Sequence, residues 1–289
     1  MSHEDAWTPD RILAILATTK DPFNAGSPKP SEGFQSAAMV GDHSKTLFLM
    51  QPYFLPWISY FARIACSDVI VFVDNRLYKK DYFLNRARFL DRGGDMFWVT
   101  VPVSQHYGAK TCDIVLDPNA ASHAANILRG NIPRKHLVSP LLAEVTQALQ
   151  QEHMKLVDLN IKLLRIVMEN LALPCPRIEL SSRLSSAHDR TEFVCQIAES
   201  VGATAVITGW GAGLHIHDLN MMRDRGIQFL VQSRSKTEEV LQSWPLELST
   251  VELVRQVGVD RCRSMIDRLA SRAFLYGAAE ELTANQAAS

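Results

Sequence analysis

Residues 46–74 read TLFLMQPYFLPWISYFARIACSDVIVFVD. A short apolar run begins at Thr46, and a second apolar run ends at the acidic residue Asp74. Between them lie an aromatic segment and a stretch from Phe61 to Ser67 that suits a helix. Buried apolar strands joined by a helix are typical of a parallel sheet, whose ligands gather at the carboxyl ends of its strands. We therefore expect functional residues directly after the first strand and at the end of the second.

The same alternation of strands and helices continues along the chain. Apolar residues recur at helical spacing within residues 138–172, which predicts two helices there, and the chain after Trp244 and Pro245 is expected to be helical to about Leu275. The other predicted elements are strands at FWVTVPV (97–103), CDIVL (112–116), RIELSSRL (177–184), ATAVITG (203–209) and IQFLVQS (227–233), and a helix at 191–201. The predicted fold class is α/β, with a mostly parallel Rossmann-like sheet, flanking helices and a helical C-terminal portion.

The chain divides into three parts by composition. Residues 1–45 form an N-terminal extension that we expect to be partly disordered, with one amphipathic stretch from Pro9 to Thr19 and then a segment rich in Pro, Gly and Ser. Residues 46–260 form the α/β region. Residues 261–289 are expected to form a C-terminal helix and a frayed tail.

Composition excludes several classes of protein. The 30 basic residues nearly balance the 31 acidic ones, so the chain has no bulk field that would attract nucleic acid or an anionic membrane. The five cysteines lack the paired spacing of a structural zinc site and are interpreted as reduced thiols. No secretory signal and no membrane span are evident, which predicts a cytoplasmic protein. A homodimer or a pathway-enzyme partner remains open.

The segment after the first strand supplies three candidate residues. Gln51 could donate a hydrogen bond to a nucleotide or bind a carboxylate at the strand end, and the hydroxyl of Tyr60 could act as a donor. Trp57 could contact a nucleotide or substrate, although ordinary packing of the aromatic residues is the alternative. We assign Gln51 and Tyr60 as catalytic candidates and Trp57 as a binding candidate.

A basic and aromatic stretch follows the second strand. Lys79 and Lys80 could neutralise phosphates as mobile charges, and Arg86 could form bidentate contacts with an oxyanion. Asn85 is a binding candidate beside Arg86, which we assign as catalytic. The alternative is a solvated basic loop.

Further candidates follow the later strands of the predicted sheet. Asp74 could hold magnesium or a ribose hydroxyl, and the start of a turn is its alternative, as a helix cap is for Ser181 and Ser182. His215 could act as a general base, because no third ligand supports a metal site in the segment His215–Asp218. The binding candidates are two serines that could meet a phosphate or carboxylate, Ser181 and Ser182, and a turn whose backbone could approach a ligand closely, Thr208, Gly209, Gly211 and Gly213.

The segment QPYFLPWISYF, from Gln51 to Phe61, resembles the opening motif of WbqC-like proteins, usually QPxYFPWxGYF. The similarity covers about residues 46–260. Two departures are Ser59, where the family usually has glycine, and Glu252, where aspartate is common. The other matching positions, in the same order, are Asp68, Asp74, Asn85-Arg86, Thr100–Val103, Asp158–Asn160, Ser181-Ser182, Thr191-Glu192, Thr208-Gly209, Gly211 and Gly213.

The resemblance implies an enzyme of surface-polysaccharide or small-molecule biosynthesis that acts on an amino-sugar or amino-acid derivative. Its leading reaction is ATP-dependent joining of a carboxylate to an amine, with ATP and magnesium as cofactors. Two alternatives stay open: a nucleotidyltransferase acting on a sugar phosphate, and a non-catalytic subunit that binds an intermediate. Adenylyltransferases of a related fold carry a His-x-Gly-His turn after the first strand, whereas this chain has Trp57-x-Ser59-Tyr60, so that analogy is partial.

Overall fold

The computed structural model describes residues 44–104, 107–133, 139–152, 154–209, 216–271 and, for the backbone only, 275–277. Strands are β1 (Thr46–Met50), β2 (Val69–Phe72), β3 (Arg86–Leu90), β4 (Met96–Thr100), β5 (Arg177–Leu180), β6 (Ala205–Thr208), β7 (Gln228–Gln232) and β8 (Leu275–Gly277). Helices are α1 (Ile58–Ala65), α2 (Ala120–Asn131), α3 (Pro140–Leu149), α4 (Leu156–Asn170), α5 (Arg190–Val201), α6 (Leu219–Asp224), α7 (Arg234–Leu241), α8 (Thr250–Val257) and α9 (Val259–Leu269). Among the described residues, 3₁₀ turns occur at Thr111–Asp113 and Ser181–Arg183.

A six-stranded sheet in the order β5-β2-β1-β6-β7-β8 organises the chain. Its first five strands are parallel, which confirms the predicted α/β class. Phe48 at the centre of β1 is paired with Ile70 on one side and Ile207 on the other. The central strands are buried on both faces, and this burial explains why they appear as continuous apolar runs in the sequence.

Helices cover both faces of the sheet. Phe48 and Ile70 point to the face covered by α1, whereas Leu47 and Val69 pack against Ile197 and its neighbours in α5 on the other face. The crossover from β1 to β2 therefore lies on one face, and the crossover from β5 to β6 lies on the other. The direction of winding reverses between β1 and β6, so the topological switch point of the sheet lies between these two strands.

The strand predicted at 97–103 exists as β4, although its predicted bounds extend three residues too far. Residues 96–100 form β4, which pairs antiparallel with β3 in a separate hairpin instead of joining the parallel sheet. The turn at Asp91–Asp95 explains this local pairing, because the Asp91 carboxylate accepts from the backbone N–H groups of Gly93 and Asp95. The prediction of a strand at 112–116 was wrong: residues 111–113 form a 3₁₀ turn, and Val115 makes only an isolated bridge to Lys155.

The remaining helical predictions hold, with one exception at the C-terminal end. Two helices, α3 and α4, occupy the 138–172 region, and α8 and α9 follow Pro245. Leu275, expected to end the helical portion, begins β8, which pairs antiparallel with β7. Within the described ranges, no helix is both long enough and apolar enough to cross a membrane.

Candidate functional site

Four of the predicted site positions follow parallel strands at the same edge of the sheet. Gln51 follows β1, Asp74 lies two residues after β2, Ser181 follows β5, and Thr208 ends β6. The β1–β6 register pairs Phe48 with Ile207, so continuing it places Gly209 level with the last residue of β1. Gln51 and Gly209 therefore leave neighbouring strands at the switch point, where open α/β sheets bind their ligands.

Tyr60 fixes the chain as it leaves β1. Its hydroxyl donates to the backbone carbonyl of Gln51 at 2.8 Å, and burial raises the pKa of this phenol above its usual range. Tyr60 is fully buried, so it acts on Gln51 as a positioning residue. The side-chain amide of Gln51 is half-buried and makes no hydrogen bond to any described residue, which leaves it available to a ligand.

Aromatic side chains form a packed wall over this exit. The ring of Tyr53 lies 5.5 Å from that of Trp57, and Trp57 lies 4.9 Å from Phe83. The Tyr53 hydroxyl hydrogen-bonds the Tyr82 hydroxyl at 3.4 Å, and burial raises the Tyr53 pKa well above the usual value. Trp57 is half-buried, whereas Tyr53 is buried. Trp57 is thus the member of this pair that retains surface for a ligand.

Asn160 connects the predicted basic stretch to the sheet edge. Its side-chain amide donates to the carbonyls of Pro52 at 2.7 Å and Leu84 at 2.8 Å, and the backbone N–H of Phe54 donates to Phe83. These bonds bring residues 83–85 onto the segment that follows β1. Asn160 is buried on α4, and sequence reasoning did not select it as a site residue although it lies in a segment that resembles the family.

Asn85 and Arg86 begin the hairpin, not the parallel sheet. The Asn85 amide donates to the Val101 carbonyl at 2.9 Å, while its side-chain oxygen is buried without a partner among the described residues. The Arg86 guanidinium stacks on Trp98 at 4.1 Å and contacts Asp81 through an ion pair and a backbone hydrogen bond. Its side chain is 25% exposed, so Arg86 is held in a defined position with part of its surface open.

The two lysines of this stretch are exposed. The ammonium of Lys79 lies 5.0 Å from the centre of the Tyr82 ring. Lys80 is exposed next to it. Neither lysine makes an ion pair with a described residue, so both charges are available to an anion that approaches this loop.

Asp74 joins the ends of β2 and β5 through hydrogen bonds, an arrangement called here a structural clasp. One carboxylate oxygen accepts from the Ser181 hydroxyl at 3.1 Å and from the Ser182 backbone N–H at 2.8 Å, and the other accepts from the Ser182 hydroxyl at 2.8 Å. Asp74 is fully buried. Magnesium binds oxygen ligands and retains several waters, whereas both oxygens of this carboxylate already accept hydrogen bonds from Ser181 or Ser182. The donor set fits a structural clasp and does not fit a hydrated magnesium ion.

A residue absent from the sequence-based candidates lies at the switch point. Arg63 on α1 is 2% exposed, its guanidinium lies 5.6 Å from the centre of the Phe48 ring, and a Cβ at Gly209 would collide with its terminal nitrogen Nη1. Any side chain at position 209 would therefore force the guanidinium to shift. The neighbouring Thr208 is half-buried, and its hydroxyl makes no hydrogen bond to a described residue.

Three predicted residues, Gly211, Gly213 and His215, lie outside the described residues. Across the part of the chain that the structure describes, no group of three or more His, Cys, Asp or Glu side chains is arranged to hold a metal ion.

Comparison with known proteins identifies a family that this chain matches. The profile of the WbqC-like protein family matches residues 51–263. The "Uncharacterized protein Rv1507c" of Mycobacterium tuberculosis (strain ATCC 25618 / H37Rv) is 25% identical over 186 residues, which are 60% of this chain and 76% of that protein. No solved structure matches the chain. The segment that matches the family, residues 51–263, includes the switch-point residues Gln51, Arg63 and Gly209.

Proposed function

Because the chain belongs to the WbqC-like protein family, we propose that it is a biosynthetic enzyme that condenses a carboxylate with an amine to form an amide, using ATP. The observation that carries this proposal is the switch point between β1 and β6. Three polar groups that make no hydrogen bond to a described residue meet that edge: the Gln51 amide, the Thr208 hydroxyl and the Arg63 guanidinium.

The proposed roles follow from the chemistry of these groups. An amide can donate to a carboxylate and accept from an amine, which suits Gln51 to the acid or to the nucleotide. The turn that begins at Thr208 and Gly209 would bring its backbone close to the nucleotide or the substrate. Lys79, Lys80 and Arg86 would face phosphates, because two of these charges are free and Arg86 is already oriented by Trp98.

ATP would be consumed as a substrate. One carboxylate oxygen forms a bond to phosphorus, and the bond from that phosphorus to its bridging oxygen breaks, which releases pyrophosphate or ADP. The amine nitrogen then bonds to the carbonyl carbon, and the carboxylate oxygen leaves on the phosphorus as AMP or phosphate. The amine loses one proton. Positioning and charge neutralisation would supply most of the rate enhancement.

Magnesium has no assigned ligand in this proposal. Asp74, the residue predicted from the sequence, is enclosed by Ser181 and Ser182. Any magnesium that the reaction needs would accompany the phosphates of ATP, as is common for nucleotide-dependent enzymes. No step of the proposed reaction therefore depends on Asp74 as a metal ligand.

A heavy-oxygen label tests the reaction. Carboxylate-labelled amino acids and simple acids would be incubated with ATP and hydroxylamine, a general amine acceptor, and the phosphorus products would be examined by NMR. We expect the label in AMP if the acid is adenylylated, or in phosphate if it is phosphorylated. Gln51→Ala should lower the transfer of the label. Gln228 begins β7 at the opposite edge of the parallel sheet, so Gln228→Ala should leave the transfer unchanged.

The opposite outcome is equally specific. Amide formed with all of the label retained and no ATP consumed would exclude activation by ATP and point to an acyl donor that arrives already activated. Pyrophosphate released from ATP with a sugar phosphate, and no transfer with any acid, would replace amide formation by nucleotidyl transfer.

A further inference from the structure

Arg63 carries a buried charge that no described carboxylate balances. Among the described residues, no carboxylate lies within ion-pair distance of its guanidinium, no hydrogen bond is made by its N–H groups, and its Nε is buried without a partner. The whole residue is 2% exposed. Leaving a charge buried and unpaired is strongly unfavourable in a protein interior.

The described surroundings of Arg63 supply no negative charge. Its ionisable neighbours are Tyr60, Cys66 and Tyr53. Burial raises the pKa of the Cys66 thiol to about 11 and raises the pKa of both phenols above their usual values, so all three are neutral near pH 7. Burial lowers the pKa of Arg63 itself to about 10, which still leaves the guanidinium charged at neutral pH.

Two other largely buried arginines of the described chain are paired with carboxylates. Arg88 contacts Glu247 at 2.6 Å, and Arg255 forms a two-point contact with Glu252. These pairs show how this fold accommodates a guanidinium that has a structural role. Arg63 differs because the group placed against it is Gly209, a backbone without a side chain, at the carboxyl end of β6.

We propose that Arg63 is the anchor of a phosphate-binding site at the switch point between β1 and β6. A guanidinium offers a planar fork of N–H donors that matches two phosphate oxygens. The position also favours a phosphate, because a glycine that follows a parallel strand lets backbone groups approach a phosphate closely. Gly209 keeps the guanidinium at this edge, since any larger residue would displace it.

This inference deepens the proposed function but does not depend on amide formation. It rests on the proposed function only in placing a nucleotide at this edge, and a nucleotidyltransferase would bring a phosphate there as well. Failure of the labelling experiment would leave the Arg63 site standing. Failure of phosphate binding would leave amide formation from another acyl donor standing.

Binding of small anions to the full-length protein tests the site. Inorganic phosphate, ADP, a hexose phosphate and acetate would be compared at equal ionic strength by equilibrium dialysis and by the shift in melting temperature. We expect the wild-type protein to bind phosphate and one of the two phosphate esters, and the tighter ester identifies the source of the phosphate. Acetate should bind much more weakly, because a phosphate carries more charge and more acceptor oxygens.

Variants locate the binding. Arg63→Met should weaken phosphate binding by roughly tenfold to a hundredfold, the range expected for losing charge-assisted hydrogen bonds. Gly209→Ala should also weaken it by displacing the guanidinium. Arg177→Met, an exposed arginine at the amino end of β5, is the matched control and should bind phosphate as the wild type does.

Three results would overturn the proposal: no phosphate binding by the wild type, unchanged phosphate affinity in Arg63→Met, or preference for acetate over phosphate. If Arg63→Met does not fold, Arg63→Lys keeps the charge and loses the planar fork. That variant should fold and bind phosphate more weakly than wild type. Unchanged affinity in Arg63→Lys, together with unchanged affinity in Gly209→Ala, would also reject the site.

Discussion

Replacing Arg255 by methionine is expected to destabilise the ligand-free protein, whereas the same replacement at Arg63 is not. Both side chains are largely buried, but only Arg255 has a carboxylate partner within the described ranges. Glu252 is fully buried on α8, where its oxygens accept from Arg255 Nε at 2.7 Å, from Arg255 Nη2, and from Gln256 at 2.7 Å. Methionine has a similar length and no charge, so the same substitution tests a paired and an unpaired guanidinium.

The expected magnitudes follow from this pairing. Removing one partner of a buried ion pair costs about 3–5 kcal/mol, which for a domain of this size corresponds to a melting temperature roughly 6–20 °C lower in Arg255→Met. Arg63→Met removes a charge that has no partner, so its stability should be unchanged or higher, by on the order of 1 kcal/mol. The melting temperature of Arg255→Met should therefore lie well below that of Arg63→Met. The melting temperature of Arg63→Met should equal or exceed that of the wild type.

Thermal and urea unfolding at two pH values provide the assay. Burial raises the pKa of Glu252, and Arg255 opposes that rise. A carboxyl group with a raised folded pKa contributes stability that is complete below the unfolded value of 4.5 and is lost as the pH rises through the folded pKa. Without Arg255 the folded pKa should rise further, so the stability deficit of Arg255→Met should be smaller at about pH 5 than at about pH 8.

Two results would refute this reasoning. If Arg63→Met lost as much stability as Arg255→Met, then the Arg63 guanidinium would have a structural partner that its environment does not reveal. If the deficit of Arg255→Met did not change with pH, then the unpaired Glu252 carboxylate would not be the source of the loss. Arg177→Met again serves as the exposed control and should unfold like the wild type.

Asn160→Ala should lower the free energy of unfolding by about 2 kcal/mol, because it leaves two buried carbonyls without a donor. It should also lower activity by releasing the hairpin from the sheet edge. Urea unfolding measures the first effect, and the transfer assay measures the second. His217→Phe should flatten the pH dependence of stability below neutrality. Burial, followed by the charge of Arg190, lowers the pKa of His217 in the folded protein, so its contribution to stability is present above the ordinary pKa of 6.5 and is lost as the pH falls. Melting curves across that pH range check this expectation. Arg86→Ala should abolish turnover while costing under about 1 kcal/mol of stability, since the ion pair with exposed Asp81 contributes little, and a large loss of stability with normal activity would show that Arg86 is structural.

The first strand, helix and strand could be predicted because each apolar run is short and bounded by turn residues. The bounds of β1 agree with the predicted run from Thr46, and α1 begins three residues before the predicted Phe61. Pairing was harder to predict. The run from Phe97 has the composition of a buried strand, and only the turn centred on Gly94, with its φ of 90°, indicates that it pairs with the strand before it.

Part of the site could also be predicted, because strand ends are visible in the sequence. Gln51, Asp74, Ser181 and Thr208 were selected as residues at predicted strand ends, and parallel pairing places them at the same edge. The hydrogen-bond partners could not be predicted. Whether Asp74 contacts a metal or two serines depends on how β5 pairs with β2 in the sheet. That pairing is set by packing between segments far apart in the chain.

Arg63 was overlooked because a charged residue in a helix is usually interpreted as part of a solvated face. The segment ISYFARIA has no such face: apart from Ser59, which is fully buried, every other residue of α1 is apolar or aromatic. The helix is enclosed because it packs on the sheet and α9 packs against it. An arginine in a segment without a polar face therefore indicates a buried charge. When the end of a neighbouring strand places a glycine against that charge, as β6 does with Gly209, the balancing anion is expected to come from a ligand.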